Sequence, residues 1–429
     1  MKRSMMLPFA VLALVPFVMV LGNSMLIPVF PEMEREMNLT QFQVGLLITA
    51  FSVPAGLLIP LTGALSDYAG RKIVMTPALI VYGLGGLVAG TAALLLERPY
   101  AAIIAGRILQ GIGAGGTYQI ALALTGDVFT SEERTKAVGM LEAANGLGKV
   151  ASPILGSLFA VVAWYAPFFA YGVLAIPVAL AVWFIVKEPE REKRHDSAKE
   201  YLGRLASIFR RKGVSLGACY FAGMTGLFLL FGLLSHLSDV LESPYGIKGF
   251  TKGFVLAVPV GAMAATSYLA GLFLQSRKRL HKPAVIAGLA VATGAFALLA
   301  LIDGLIAIVA LSSLIGIGIG ATLPPLNTMI TGATDSQERG VVTSLYGTVR
   351  FFGVAIGPPT FGLLVGAGTT ATFLGAAAVA AASGAVALFF ISPRALESGE
   401  GKHGPVEGPG GSGDGGRRRS GDEELQPVR

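Results

Sequence analysis

Charge is almost absent from most of this chain. Of its 59 Lys, Arg, Asp and Glu residues, 14 fall within 187–213 and 13 within 392–429, leaving 32 for the other 364 positions. Soluble domains draw roughly a quarter of their residues from those four types, so a chain this poor in charge cannot clothe a water-facing surface. That excludes a cytosolic enzyme, a nucleic-acid-binding module and a secreted disulfide scaffold. Cys219 is the single cysteine, which rules out an internal disulfide or a cysteine-cluster metal site; it reads as a small packing residue. Serine-hydrolase, zinc-protease and phosphate-loop patterns are also missing, so neither enzymatic chemistry nor ATP-driven transport has a sequence basis, and no cofactor is implied.

Lys2 and Arg3 precede an apolar run that reaches Leu21, the layout of a secretory signal. Apolar runs continue to residue 391, however, so the run reads as a first span that stays in place. A hydrocarbon core of about 30 Å needs about 20 apolar residues in helix. Segments of that kind lie at 5–30, 41–65, 73–96, 100–126, 136–162, 164–186, 214–238, 251–275, 283–302, 304–330, 340–366 and 369–391. Twelve spans put both termini on one side. With the N-terminus cytoplasmic, 21 Lys and Arg fall on the cytoplasmic side, while Arg35, Arg98, Lys248 and Lys252 alone fall outside. Basic residues favour the cytoplasmic side, so the topology follows. The organisation expected is a six-helix bundle (1–186), a cytoplasmic linker (187–213), a second six-helix bundle (214–391) and a disordered tail (392–429). Leu202, Leu205, Ile208 and Phe209 have helical spacing, so the linker reads as a short surface helix or a solvated connection. Arg417–Arg419 of the tail are candidates for touching anionic lipid, or are passive.

A shift of 205 residues superimposes the two halves. Gly111-Ile-Gly-Ala-Gly115 meets Gly316-Ile-Gly-Ile-Gly320, and Ser131, Glu133 and Arg134 meet Ser336, Glu338 and Arg339. Gly148, Pro153 and Leu158 meet Gly353, Pro358 and Leu363. Parallel six-helix repeats describe one large class of secondary transporters. The fold class expected is an all-α membrane protein of twelve transmembrane helices in two six-helix pseudo-symmetric bundles.

Between the second and third segments the chain reads Gly63-Ala-Leu-Ser-Asp67-Tyr-Ala-Gly70-Arg71-Lys72. As physics alone this is a tight turn with an acid able to accept from a helix N-terminus and a base able to pair with an acid. It resembles the signature of the major facilitator superfamily, and the resemblance covers 5–391. It implies that Asp67 and Arg71 latch the halves in the outward-facing state, with Asp127 as the acid paired to Arg71. The second half holds only a degraded copy, Gly271 to Arg279. In the fourth segment Arg107 lies roughly 10 Å from the outer end at 1.5 Å per residue, a depth at which a charge should face the bundle interior. Arg107-Ile-Leu-Gln110-Gly111 resembles a motif of proton-coupled members, implying a part in proton transfer; holding helices together or snorkelling are the alternatives. In the fifth segment Ser152-Pro153 with Gly156 resembles a variant of the antiporter motif, whose first position is normally Gly. The eleventh segment carries Gly357-Pro358, with Gly362 one position late. Helix packing alone would also account for these small residues.

Glu142 is the clearest acid inside a span, and Asn145 and Lys149 continue its stripe at helical spacing. Arg350 aligns with Asn145 under the repeat shift. Glu142 reads either as the proton-coupling group or as a structural counter-ion to Lys149 and Arg350. The central cavity is expected to be lined by Glu142, Lys149 and Arg350, with Asn23, Tyr118, Gln119, Asn145, Asn327, Tyr346 and Gln43 as further polar candidates. His236, with Asp239 three residues on, reads as a solvated histidine at a helix end. The resemblance is to twelve-helix drug/proton antiporters of the plasma membrane. It implies proton-coupled export by alternating access, and the cations bias the substrate towards anionic or amphipathic small molecules. Uptake, a lipid or lysolipid flippase, and a non-transporting receptor on the same fold remain open. The partners expected are a small-molecule or lipid-like substrate, protons and membrane lipids, with no nucleic acid; the chain is expected to be a monomer.

Overall fold

A computed structural model describes residues 3–129, 131–189, 198–334 and 339–396. Ser336, Glu338 and the tail beyond Leu396, Arg417–Arg419 included, lie outside the described residues. Among the described residues all regular structure is helical. A backbone with no water to bond must satisfy its N–H and C=O groups internally, which a helix does. The helices are α1 (Arg3–Ser24), α2 (Phe30–Met37), α3 (Gln41–Ala69), α4 (Arg71–Leu95), α5 (Tyr100–Gly115), α6 (Tyr118–Val128), α7 (Ser131–Ala160), α8 (Ala166–Ile185), α9 (Ala198–Glu242), α10 (Gly249–Leu274), α11 (His281–Leu299), α12 (Leu305–Gly332), α13 (Arg339–Leu364), α14 (Thr369–Phe390) and the short α15 (Pro393–Leu396).

Among the described residues, ten stretches are long and apolar enough to cross a bilayer. The two remaining spans depart from the sequence expectation for identifiable reasons. The fourth breaks at Gly116 and Thr117 into α5 and α6, with 16 and 11 residues. The fifth, α7, has 30 residues but carries Glu142, Asn145 and Lys149, which lower its mean hydropathy. The first span ends at Ser24. Beyond a short turn, α2 follows and closes at Asn38 in the left-handed conformation (φ 52°), which Asn tolerates better than most residues. Thr40 then caps α3, its hydroxyl accepting from Gln43 N–H while the Gln43 side chain accepts from Thr40 N–H. Gln43 is therefore a capping residue and not a cavity group. The expected surface helix is no separate element: α9 runs 45 residues without interruption, roughly 67 Å at 1.5 Å per residue. Ile208 is buried in it, Phe209 packs on Tyr220, and Lys212 donates to the carbonyls of Ala333 and Leu396. The side chains of Leu202 and Leu205 lie outside the described residues.

The repeat is visible in how the glycines are used. Gly111 and Gly115 of α5 press on α3 at Phe51 O and Ala55 O, while Gly113 between them presses on α4 at Ala78 and Tyr82. In the other half, Gly316 and Gly320 of α12 press on α10 at Pro259 O and Met263 O, and Gly318 presses on α11 at Gly288. Likewise Gly148 of α7 meets α1 at Phe17 O, and its counterpart Gly353 of α13 meets α9 at Met224 O. Close approach through glycine is the main attraction available between apolar helices in lipid.

The halves meet along two helix pairs, α3 with α13 and α7 with α10. One face of the molecule carries the α3–α4 turn, the end of α8 and the end of α14; we call it the termini face and its opposite the far face. At the far face the contact is tight. A Cβ on Gly45 would lie 2.6 Å from Pro359 N, and one on Gly253 would lie 2.6 Å from Pro153 O. Deeper in, Thr49 Oγ1 donates to Ala355 O (2.6 Å) and Thr348 Oγ1 to Gly56 O (2.7 Å).

This packing predicts opposite outcomes at two glycines of α7. A Cβ on Gly156 would run into Met25 O, whereas one on Gly146 meets nothing within 4 Å. Gly156→Ala should destabilise the detergent-solubilised protein by about 1–3 kcal/mol, the range for overpacking. Gly146→Ala should leave Tm unchanged or raise it, since Ala is the better helix former. Equal Tm values for the two variants would remove this account of α7.

Candidate functional site

Arg107 is fully buried, as its depth in the span requires. It does not snorkel. Its Nε donates to Leu47 O of α3 (3.1 Å), one terminal nitrogen to Gly22 O of α1 (2.8 Å) and the other to Gln110 Oε1 (2.5 Å). Gly22 lies in the last turn of α1, where carbonyls lack helical partners, and a cation there also complements the helix dipole. The rings of Phe51 and Tyr171 lie 4.6 and 5.9 Å from the guanidinium carbon. These partners include no carboxylate: the geometry is that of a staple joining α1, α3 and α5. Asn23, one residue on, is buried and accepts from Ser52 Oγ (3.3 Å), so it serves α1–α3 packing.

The three residues of the expected latch are together. Arg71 pairs with Asp67 at 2.6 Å and with Asp127 at 3.5 Å, and it donates to Ser66 Oγ at 2.7 Å. These pairs join α3, α4 and α6 of one half, and they coexist with closure of the far face. Sequence reasoning missed the partner that organises the turn. Glu188, just beyond α8, accepts from Arg71 N (2.6 Å) and Lys72 N (2.9 Å), capping α4 with a full negative charge. Gly70 admits this approach with φ 114°, a region closed to most side chains. Lys72 adds a bond to Val186 O (2.9 Å) and lies 5.2 Å over the Trp183 ring. A lone Glu at the head of a charged linker gives no signal of a partner 117 residues away.

The α7 stripe faces the other half. Glu142 is exposed and accepts a hydrogen bond from Tyr118 Oη of α6. Lys149, one step further along α7, interacts electrostatically with Glu142 and, across the interface, with Arg350 of α13. Tyr118 faces Arg350 as well. Gly139 and Gly146, on the same side of α7 as Glu142, have nothing within 4 Å of a Cβ position. Gln119 Nε2 reaches within 3.8 Å of a Cβ position on Gly347 of α13. Glu142, Tyr118, Lys149, Gln119 and Arg350 thus assemble where the halves face each other, on the side of the molecule that is not pressed shut.

Other candidates do not join them. Tyr346 is 2% exposed and stacks on Tyr220 (5.7 Å), with the Arg350 guanidinium 5.4 Å over its ring; it supports Arg350 from inside α9–α13 packing and does not line a cavity. Asn145 is buried within α7 packing. Asn327 is exposed on α12, and its carbonyl accepts from Thr331 Oγ1 (2.8 Å). Ser152 is fully buried, Pro153 O abuts Gly253, and Gly156 abuts Met25. Gly357 abuts Phe228 O, and Pro358 abuts Gly45. The small residues of both motifs are contact points between helices. His236 is not solvated: it is 3% exposed and packs edge-on against Phe373 (5.3 Å).

Capping by a charged acceptor at a helix N-terminus contributes about 1 kcal/mol. Glu188→Ala should therefore lower Tm by a few degrees, with Glu188→Gln falling between it and the wild type. Identical Tm values for all three would show that the contact does not stabilise α4.

A family model described as Major Facilitator Superfamily matches residues 12–358 and, again, 245–412. The bacillibactin exporter of Bacillus subtilis (strain 168) is 40% identical over 352 residues, which are 82% of this chain and 88% of that protein. The class C tetracycline resistance protein of Escherichia coli is 27% identical over 328 residues, 74% of this chain and 80% of that one. Among solved structures, a D-xylose-proton symporter superimposes with a TM-score of 0.73 over 90% of this chain and 97% of the other, at 14% identity. Two glycine-welded bundles joined along two helix pairs, and a family match spanning nearly all of both, lead to one assignment: this multi-pass membrane protein is a transporter of the major facilitator superfamily.

Proposed function

We propose that this protein exports anionic or amphipathic small molecules across the cell membrane by alternating access, driven by the proton gradient, as a monomer with both termini in the cytoplasm. The observation that carries the reading is the cation pair Lys149 and Arg350, one from each half, facing each other beside Glu142. An anion between them is held by both halves at once, so its binding reports directly on how the halves are set. The relatives named as a bacillibactin exporter and a tetracycline resistance protein support outward movement. The orientation follows from the Lys and Arg asymmetry of the loops. It makes the termini face cytoplasmic and the conformation described here one closed to the outside.

Glu142 is the internal counter-charge. With no substrate present, its carboxylate, oriented by Tyr118, balances one of the two cations and lets the empty carrier return. A substrate anion takes over that role. The latch residues Asp67, Arg71 and Asp127 set the rigid end of the first half against which the second rocks.

The test is a flux assay in proteoliposomes with carboxyfluorescein as anionic probe and ethidium as cationic probe, under an imposed pH gradient. Anion movement should follow the gradient and collapse with a protonophore. A hydrogen bond to a charged group contributes about 1.5–3 kcal/mol, and about 1.4 kcal/mol is tenfold. Lys149→Ala and Arg350→Ala should therefore each lower anion flux about tenfold or more while leaving folding intact. Glu142→Gln should retain anion binding but slow the return of the empty carrier, because the two cations then lack their internal counter-charge. Wild-type anion flux in both cation variants would overturn the anionic assignment, and flux indifferent to the pH gradient would overturn the coupling.

A further inference from the structure

At Glu142 a proton and an anion help each other bind. Neutralising that carboxylate leaves Lys149 and Arg350 unopposed, which strengthens their pull on an anion. A site of that kind carries protons with the substrate. Protons that help an outgoing anion leave must therefore act at a second site, on the side from which they arrive.

The far face offers one. A cavity of about 570 Å³ is lined there by Glu34, Arg35, Gln41, His236, Asp239 and Ser243, among others. Arg35 and Ser243 are exposed at its mouth, while His236 is buried at its floor with neither ring nitrogen hydrogen-bonded. Glu34 Oε1 and Gln41 Oε1 are buried without partners as well. The lining is therefore rich in unmet acceptors.

The charged groups around it divide into two sets. Glu242 of α9 is buried and held by Lys252 of α10 (2.7 Å) and Arg35 of α2 (2.6 Å), with Lys248 at 3.9 Å. Asp239, one turn earlier, has no such match: among the described residues no cation lies within ion-pair distance of it. Its carboxylate is held by a neutral donor, Gln41 Nε2 at the start of α3. That bond crosses between the halves. The charges that reach Asp239 from the surrounding elements are Glu34 and Arg35 of α2, Glu242 of its own helix and Lys252 of α10. Glu32 and Glu36 of α2 add negative charge nearby.

We propose that this cavity is a proton-responsive gate, in which Asp239, beside Glu34, takes up a proton from the outside and thereby releases the α3–α9 closure. Hydronium gives its proton to the Asp239 carboxylate and leaves as water; the carboxylic acid formed is a weaker acceptor for Gln41, because the bond loses its ionic part. The Arg35–Glu242–Lys252 cluster keeps its charges and acts as the hinge that remains. Proton arrival then favours opening outward, where the substrate leaves; the proton returns to the outer solution when the face closes again, so this site gates release and carries no proton across. The inference rests on the export reading for its place in the cycle, though not for its chemistry.

The experiment is a distance measurement on the full chain in lipid nanodiscs. Spin labels are placed at Leu96→Cys and Ile302→Cys, exposed far-face positions in the two halves, with Cys219→Ala as background. Between about pH 8 and about pH 5.5, a range in which buried carboxyl groups take up protons, the long-distance population should grow severalfold. Asp239→Asn should hold one distribution at both pH values, and Gln41→Ala should be open at both. Glu242→Gln should alter the starting population yet keep the acid response. A pH-independent wild type, or a full acid response in Asp239→Asn, overturns the proposal. So does an equal shift produced at the higher pH by exchanging choline for sodium, which would make the site one for an alkali ion. Flux that ignores the pH gradient, with the distance response intact, would instead sink the coupling reading alone.

Discussion

Apolar side chains gain nothing by leaving lipid for the flank of another apolar helix, so helices in a bilayer must find their attraction in close contact. Here that contact is made by backbone on backbone. Gly111, Gly113 and Gly115 let α5 press on α3 and α4 at once, and Gly316, Gly318 and Gly320 do the same for α12 against α10 and α11. A helix held on two sides through three successive glycines has little freedom to slide. Each half is consequently a stiff body, and Arg107 adds to the first half a buried hub that reaches α1 and α3 from α5.

Stiff halves concentrate movement at the seam. The seam is built differently from the interiors. It has hydroxyl-to-carbonyl bonds at Thr49 and Thr348, an amide-to-carboxylate bond at Gln41, and small residues at Gly45, Gly253 and Gly362. Hydroxyls and amides can exchange a partner across the seam for water when a face opens, at a net cost of about 1 kcal/mol per bond. Prising Gly156 from Met25 would instead forfeit dispersion contacts with nothing to replace them.

What could be read in the sequence follows from the same division. Span positions come from local composition, and the 205-residue repeat survives as glycine spacing because each of those glycines meets backbone. Arg107 could be assigned to the interior because lipid admits no other place for it, and Asp67, Arg71 and Asp127 because a motif joins them. The partners of Glu188 and Asp239, and Arg35 as a partner of Glu242, were hidden, since a pairing between residues more than a hundred positions apart leaves no local trace; Gln41 and Asp239 are 198 apart. The break at Gly116 was hidden for another reason: the sequence stays apolar through it, and only the packing of Gly115 and Gly116 against Leu58 and Ala78 turns the chain there. Tyr346 and His236 were misread because an aromatic with a polar tip suits a cavity wall or a core, and burial alone decides between them.

The two ends of the seam also differ in the sign of their charge. On the side not pressed shut, Lys149 and Arg350 stand against one carboxylate, Glu142. At the far face, among the described residues, five acids, Glu32, Glu34, Glu36, Asp239 and Glu242, stand near three bases, Arg35, Lys248 and Lys252. An anion moving from the first region to the second leaves a field that holds it for one that repels it. In the proposed cycle, release at the far face is helped by those carboxylates. A cation would meet the opposite sequence, repelled at entry and retained at exit. In the proposed export cycle, direction and substrate sign are tied together in one electrostatic gradient along the seam, and reversing either would require exchanging the charges of both ends.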